Sequence, residues 1–488
     1  LLKEKALLWD LTTSTAAATE PFATRGVADY TVVQAEEGKP NGTFLLAKPA
    51  DNANYKANVE MFAKSFDGNR NKAYATWQYF GSPVKSADRN QLPLETTWVR
   101  KYDRTLNVPN SDEKWTDINN GTLAQGQAYE ISQPKPATYR FIGELNTADF
   151  TFPVDGMASA TNYQDMNILA NPYTGAMSID KLDFSGATAA DKVVYLFNTG
   201  SRKDWIANSG PTTNGTTQGQ YTKAIPANLA GHVAGMPNQI PSLSSFMVKS
   251  TAAGNLKYRY ADLVTATEEN RAPQRHFHSL AVDVESAKTA DRLWLVQAEG
   301  TTDRYDNGWD GEKIFAPGEA ALYAMQDRSY QVTTTDAIGE TKVGFVPGDG
   351  EQNYKLTFHL DGGDGTQQYT LLDKRTGLTR AIHDGDTYEF TATKGDAAHR
   401  FTILGNGAKA TADQRGFQIS ADLRRNFTVK NFTDQPAEAL VFDAAGKIQA
   451  RFTVEPGSEN TGTVVMPGAY VVRVSNKVTT LTQRFVMP

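Results

Sequence analysis

There is no cysteine among the 488 residues. That absence removes disulfide staples, cysteine-ligated zinc and thiol nucleophiles together. Histidine is scarce, with 6 copies, and none lies in a His-Glu-x-x-His pattern. Long apolar runs are missing as well. No stretch reaches the roughly 18 apolar residues that a membrane-spanning helix needs, so no transmembrane segment is expected. Excess positive charge is lacking: 49 Lys and Arg face 55 Asp and Glu, for a net charge of −6 and a pI near 5.7. Without a basic footprint for phosphates, no nucleic-acid partner is expected. Nucleophile-elbow, P-loop and dinucleotide-binding glycine patterns are all absent from the sequence. Acidic residues are too numerous and too often in turns to mark a glycosidase pair. The chain is therefore expected to be no enzyme.

What is present points to strands. Hydrophobic residues make up 40% and aromatics 10%, which suits a packed globular chain. Charged residues are only 21%, with 39 Gly, 20 Tyr and 23 Phe, a mixture that favours strands joined by tight turns. In Tyr354-Lys-Leu-Thr-Phe-His-Leu360 the apolar positions fall on one face and Lys, Thr and His on the other. Turn sequences such as Asp-Asn-Gly, Asp-Gly-Gly and Pro-Gly-Asp-Gly separate such runs. The expected fold class is all-β: tandem β-sandwiches, jelly-roll-like modules followed by an Ig-like C-terminal domain. Composition shifts place an N-terminal segment or linker at 1–26, a β-sandwich region at 27–268, a β-sandwich at 275–405 and the C-terminal domain at 412–488. Within the first segment, residues 3–11 are expected to form a short helix. The opening LLKEKALLWDL has neither Met nor a signal peptide, as expected of a piece of a longer precursor.

The region 27–268 contains an internal repeat, about 77–131 and 166–248. Trp77-Gln-Tyr-Phe-Gly-Ser-Pro83 matches Met166-Asn-Ile-Leu-Ala-Asn-Pro172, with the prolines 89 residues apart. Val99-Arg-Lys-Tyr-Asp103 matches Val194-Tyr-Leu-Phe-Asn198 at an offset of 95. Tyr129 and Phe246 stand 117 apart. The growing offset locates an insertion, the polar loop Ser201–Asn238. Each copy reads as a strand ended by proline, which has no ladder donor. Ser82 or Asn171 before it sustains a local turn. The corner supplies no nucleophile or base common to both copies, so it reads as structural.

Candidate binding residues are few. Asp303, Asp306, Asn307 and Asp310 surround two glycines in Thr302–Lys313. Short oxygen-bearing side chains on a tight loop suit Ca²⁺, the one cofactor these residues point to. The EF-hand spacing is not met: with Gly308 in sixth place, Tyr305 stands third and Ile314 twelfth. A plain Asx-bonded turn is the alternative. Trp98, Trp115, Trp205 and Trp309 lie near polar loops, and Trp115, Trp205 and Trp309 are the candidate glycan-stacking residues; burial in the core is the competing role. His276 and His278 share one strand face, where a solvated face is the simpler reading than a metal pair.

The C-terminal segment carries the most specific pattern. Val441-Phe-Asp443 with Gly446-Lys447, then Gly468-Ala-Tyr-Val-Val-Arg-Val474 and a final Phe485-Val486 resemble the sorting domain of type IX secretion cargo of Gram-negative bacteria. Gln483-Arg484 stands where that family usually has a Lys. Upstream, Ala170-Asn171-Pro172-Tyr173 resembles the Gly-Asn-Pro-Tyr signature of modules that precede such tails in large surface proteins. Asp310 and His399-Arg400-Phe401 fall in a stretch similar to the next module. The resemblance implies an exported cell-surface or secreted β-protein that meets the secretion machinery through its C-terminal domain. The function expected is non-enzymatic and adhesin-like or presenting, with a host or bacterial surface protein or glycan as partner. The loops Ser201–Asn238 and around Trp309 are the expected contact regions. A carbohydrate-binding accessory region of a larger secreted enzyme is the alternative.

Overall fold

A computed structural model describes residues 7–9, 32–36, 41–72, 75–109, 111–156, 163–199, 220–264, 276–363, 366–405, 416–421, 425–433, 435–477 and 480–487. The described residues form strands and short 3-10 turns, with no α-helix. None of their helices is long and apolar enough to cross a membrane. The all-β expectation holds, and its cause is visible in the strand Asn353–Asp361. Tyr354, Leu356 and Phe358 are buried there, while His359 is exposed. Of the stretch 3–11, expected to be a short helix, the structure describes Leu7–Trp9, which is a strand paired in parallel with Phe44–Leu46. A lone helix of that length is marginal, whereas an existing strand offers its backbone ready partners.

One strand pattern occurs twice. Its first occurrence is a four-stranded sheet in the order Gln78–Phe80, Tyr129–Ser132, Trp98–Tyr102, Trp115–Asp117. Its second has the order Met166–Ala170, Ser245–Lys249, Val193–Asn198, Gln220–Pro226. Tyr129 lies opposite Phe80 and Lys101; Phe246 lies opposite Leu169 and Leu196. These partners are related by the offsets 117, 89 and 95, so register as well as order recurs. The flanking strands repeat too. Lys56–Ala63 pairs with Ala137–Glu144, and Phe150–Val154 with Gly254–Tyr258. A short 3-10 turn follows the corner strand in both, Arg89–Gln91 and Ile179–Lys181.

The two units meet reciprocally. Gly81 N donates to Leu243 O at 3.1 Å, and Ala170 N donates to Gly126 O at 3.0 Å. Gly81 corresponds to Ala170, and Gly126 to Leu243. Each unit therefore gives the same donor to the same acceptor of the other, the arrangement of a two-fold dimer built within one chain. Tyr102, Trp115 and Ala128 from the first unit pack with Ile168, Tyr195 and Met247 from the second. Tyr79 stacks on Phe197 at 3.8 Å. Glycine is required at position 81 because a Cβ there would lie 2.3 Å from that of Ala170.

Residues 278–405 form an 11-stranded sheet. Its path runs from Leu378–Ile382 at one edge to Thr387–Thr391 at the other. Those two edge strands are consecutive in sequence, so the sheet curls until its edges approach. Arg380 Nη1 donates to Thr387 O at 2.8 Å across that seam. Leu280, Leu293, Phe345, Leu356 and Phe401 fill the inside. The C-terminal residues form a three-stranded and a four-stranded sheet around Phe427, Val441, Tyr470 and Val472.

Candidate functional site

The acidic loop Thr302–Lys313 sits where the second unit meets the large sheet. Asp310 is fully buried. Its Oδ1 accepts from Thr334 N and its Oδ2 from Asp306 N, both at 2.7 Å. Burial pushes the Asp310 carboxyl up to about 7 despite those two donors. Asp306 Oδ2 accepts from Thr302 N at 2.6 Å and from its hydroxyl at 3.0 Å. Asn307 reaches the second unit: Oδ1 accepts from Lys192 N at 2.7 Å, and Nδ2 donates to Ala190 O at 3.2 Å. Gly308 O accepts from Asn228 N at 3.1 Å, with Gly308 at φ 89°, a backbone setting that favours glycine. Asp303 is exposed. Asp306, Asn307 and Asp310 are thus gathered in one loop, with side-chain oxygens facing backbone amides. Among the described residues no group of three or more His, Cys, Asp or Glu is set to hold a metal ion.

The same joint carries charge and apolar contact. Lys249 and Arg328 both reach Glu312, at 2.7 and 2.6 Å. Burial works against its ionisation, but the two cations hold its carboxyl below the usual range. Asp191 is raised by burial, against a hydrogen bond from Tyr305. Ala224 N donates to Gln331 Oε1 at 3.0 Å, and Gly311 presses on Ala224 so closely that a Cβ would stand 2.7 Å from it. Ala281, Trp294, Val296 and Val332 of the large sheet share one core with Val194, Ile225 and Phe246 of the second unit. These contacts can transmit force; they present no nucleophile with an adjacent base.

The tryptophans take different places. Trp115 is 7% exposed, with Tyr79 and Tyr102 at 4.8 and 5.2 Å. Trp309 is half-buried and meets Phe277 edge-on at 5.6 Å. Trp205 lies outside the described residues, as does much of the loop Ser201–Asn238, from 201 to 219. Trp98 lies 6.3 Å from Trp77, with the cations of Arg70 and Lys72 at 4.8 and 5.5 Å from its ring. His276 bonds Asp361 at 2.9 Å. His278 bonds the Tyr369 hydroxyl at 2.6 Å.

Asn171 organises the corner that the sequence marks. It is fully buried. Nδ2 donates to the carbonyls of Gly175, Ile240 and Pro241 at 3.0–3.1 Å, and Oδ1 accepts from Tyr173 N at 2.9 Å. At the equivalent corner Ser82 Oγ donates to Val84 O at 2.8 Å. Asn431 uses the device again in the C-terminal region. Its Nδ2 donates to Gln435 and Val454 carbonyls, and its Oδ1 accepts from Thr433 N. The sequence reading missed Asn431. Its signal was an Asn at a strand end, two residues before an amide it can bond.

Residues 31–404 match a family described as a domain of unknown function (DUF8693). The chain belongs to that family. This DUF8693 chain is also 30% identical over 481 residues to the minor fimbrium subunit Mfa5 of Porphyromonas gingivalis. The alignment covers 93% of the chain and 38% of the relative, so the chain spans under two-fifths of that protein's length. Among solved structures, a Faecalibacterium prausnitzii β-glucuronidase aligns with 45% of the chain and 47% of its own, at 12% identity and a TM-score of 0.14. The BSP domain of a biofilm-associated protein aligns with 88% of the chain and 95% of its own, at 9% identity and a TM-score of 0.13. At those scores neither likeness carries an argument.

Proposed function

We propose that this chain is a non-enzymatic, adhesin-like structural part of a fimbrial assembly on the surface of a Gram-negative bacterium. The observation that carries the reading is the 30% identity to a minor fimbrium subunit across nearly the whole chain. The joints support it physically. A shaft that bears load gains from units that bury apolar surface against each other, because such interfaces resist relative motion. The first two units share one apolar cluster, and the second unit shares another with the large sheet. Its partners are then other fimbrial subunits, and its ligand a protein or glycan on an opposing surface.

The C-terminal region, residues 412–488, is proposed to act as a type IX sorting domain, on the pattern from Val441 to Val486. Fimbriae sheared from cells producing the tagged protein should contain it. Its absence from them, with normal amounts in the cell, refutes the fimbrial reading. A version lacking 412–488 should remain in the periplasm. Undiminished surface display of that version refutes the sorting role and leaves the fimbrial reading standing.

A further inference from the structure

The four-stranded sheet of the C-terminal region runs in the order Ile448–Val454, Ala437–Asp443, Gly468–Ser475, Thr480–Met487. Alternation divides its side chains between two faces. Ala439, Val441, Tyr470, Val472 and Val474 turn inward to the core. A sheet face left to solvent is ordinarily polar, and the outer face of this sheet is not. Phe442 lies opposite Ile448 on one side and Val471 on the other. In the next row Leu440 lies between Arg451 and Arg473. Arg484 stands beside Val471, and Val486 beside Ala469. Leu440, Phe442 and Val471 are half-buried, while Ile448 is 42% and Val486 83% exposed. The three arginines are exposed. Arg451 reaches Glu438 at 3.5 Å, the one carboxylate that alternation puts on this face. Among the described residues, Arg473 and Arg484 have no carboxylate within ion-pair reach.

We propose that this face docks a second protein through an apolar patch bordered by carboxylates. Two features select that partner together. The adjoining apolar side chains give a patch on the order of 300 Å², from strand and row spacings of about 4.8 and 6.8 Å. Exposed apolar patches of that size on soluble proteins are often binding sites. The arginines at its border then set which surface fits. Three arginines face one carboxylate, so the partner brings the missing negative charge. An arginine fork takes a carboxylate through two parallel hydrogen bonds. A second copy of the same face is disfavoured, because a two-fold contact would set Arg473 and Arg484 close to their own copies. An anionic lipid surface fits less well than a protein. Insertion among lipids uses apolar side chains that stand out from the surface, whereas Leu440, Phe442 and Val471 are half-buried within the sheet. The patch is smaller than the roughly 800 Å² per partner of a stable interface, so the contact is a transient one.

The inference goes beyond the sorting role, which names no contact surface. The test places the photocrosslinker p-benzoylphenylalanine at Ile448 of the full chain in producing cells. One dominant adduct is expected, with a protein other than this chain. Its crosslinked peptide should hold Asp or Glu beside apolar residues. Arg473→Glu combined with Arg484→Glu should lower the adduct yield about tenfold or more. Both positions are exposed, so the unfolding midpoint should match the parent's; Arg484→Gln alone, a milder change, is read in the same way. Replacing the partner's carboxylates at the crosslink with lysine should restore the adduct to the reversed chain. An adduct with a second copy of this chain, the lack of a dominant adduct, or a yield unchanged by charge reversal overturns the inference. So does failure of the charge swap. Cosedimentation of the chain with phosphatidylglycerol vesicles, abolished by the same reversal, would assign the face to lipid and overturn it as well. If the reversed chain loses its adduct yet reaches the surface in normal amounts, the docking face stands and sorting does not run through it.

Discussion

Replacing Asn171 with alanine tests whether one side chain holds the corner of the second unit. The residue has no exposure, so water cannot take over the bonds it makes. Its amide donates to three carbonyls, those of Gly175, Ile240 and Pro241, and its oxygen accepts from Tyr173 N. Carbonyls keep a second lone pair for other donors, whereas the Tyr173 amide has nothing else to give its proton to. A lost hydrogen bond costs about 1 kcal/mol net, and an orphaned buried donor about 1–3 kcal/mol. The amide has two protons for its three carbonyls, so the loss of two such bonds and the orphaned Tyr173 amide together cost about 3–5 kcal/mol. Ser82 at the matching corner makes one such bond, and Ser82→Ala should cost about 1 kcal/mol. The assay is urea unfolding of both variants beside the parent. Backbone amide exchange over 166–178 and 239–248 reports where protection is lost, because a chain with several cores need not unfold in one step. Asn171→Ala is expected to lose protection in both stretches. Equal midpoints for the two variants, or unchanged exchange in those stretches, would refute the reasoning.

Two other perturbations read the joints. Gly81→Ala forces a Cβ into that of Ala170 and should destabilise by about 1–3 kcal/mol; adding Ala170→Gly should restore most of that loss in a double-mutant cycle, and strict additivity would show that the two do not touch. The carboxyl of Asp310 has its pKa raised from 3.8 to about 7 by burial. Its contribution is therefore fully present below pH 4 and is lost as pH rises through about 7, by on the order of 4 kcal/mol. Asp310→Asn should flatten that part of the stability profile between pH 4 and 7, and parallel profiles for parent and variant would contradict it.

The strands were legible because a sheet with one wet face writes its burial into alternate residues, as in Tyr354–Leu360. The corner at Asn171 was legible because proline and an Asx side chain limit the backbone whatever surrounds them. The reciprocal contact between the units was not legible: Gly81 and Ala170 stand at the marked corners, but nothing in either corner says that the two will touch. They matter only because two distant segments are pressed together. The acidic loop shows the same limit from the other side. Its oxygens were visible in the sequence, but the direction in which Asn307 and Asp310 point depends on Lys192, Ala190 and Thr334, 24 to 117 residues away.

The distribution of apolar contact sets where the chain should divide. The first unit joins the second through a shared cluster, and the second joins the large sheet through another. Across these joints the backbone also exchanges hydrogen bonds, from Gly81 to Leu243 and from Asn228 to Gly308. The large sheet and the C-terminal region differ: their cores have no residue in common. Among the described residues, what lies between them is a polar cleft lined by Arg375, Asp396, Thr433 and Asn476, with the side chain of Leu481 against Gly377. The family match ends at residue 404, where the apolar continuity ends as well. Removing residues 406–488 should therefore leave the remainder with its unfolding free energy changed by no more than about 1 kcal/mol, the worth of one small contact. Collapse of the remainder into an unfolded or aggregated state would show that the polar interface carries structural weight that its contacts do not explain.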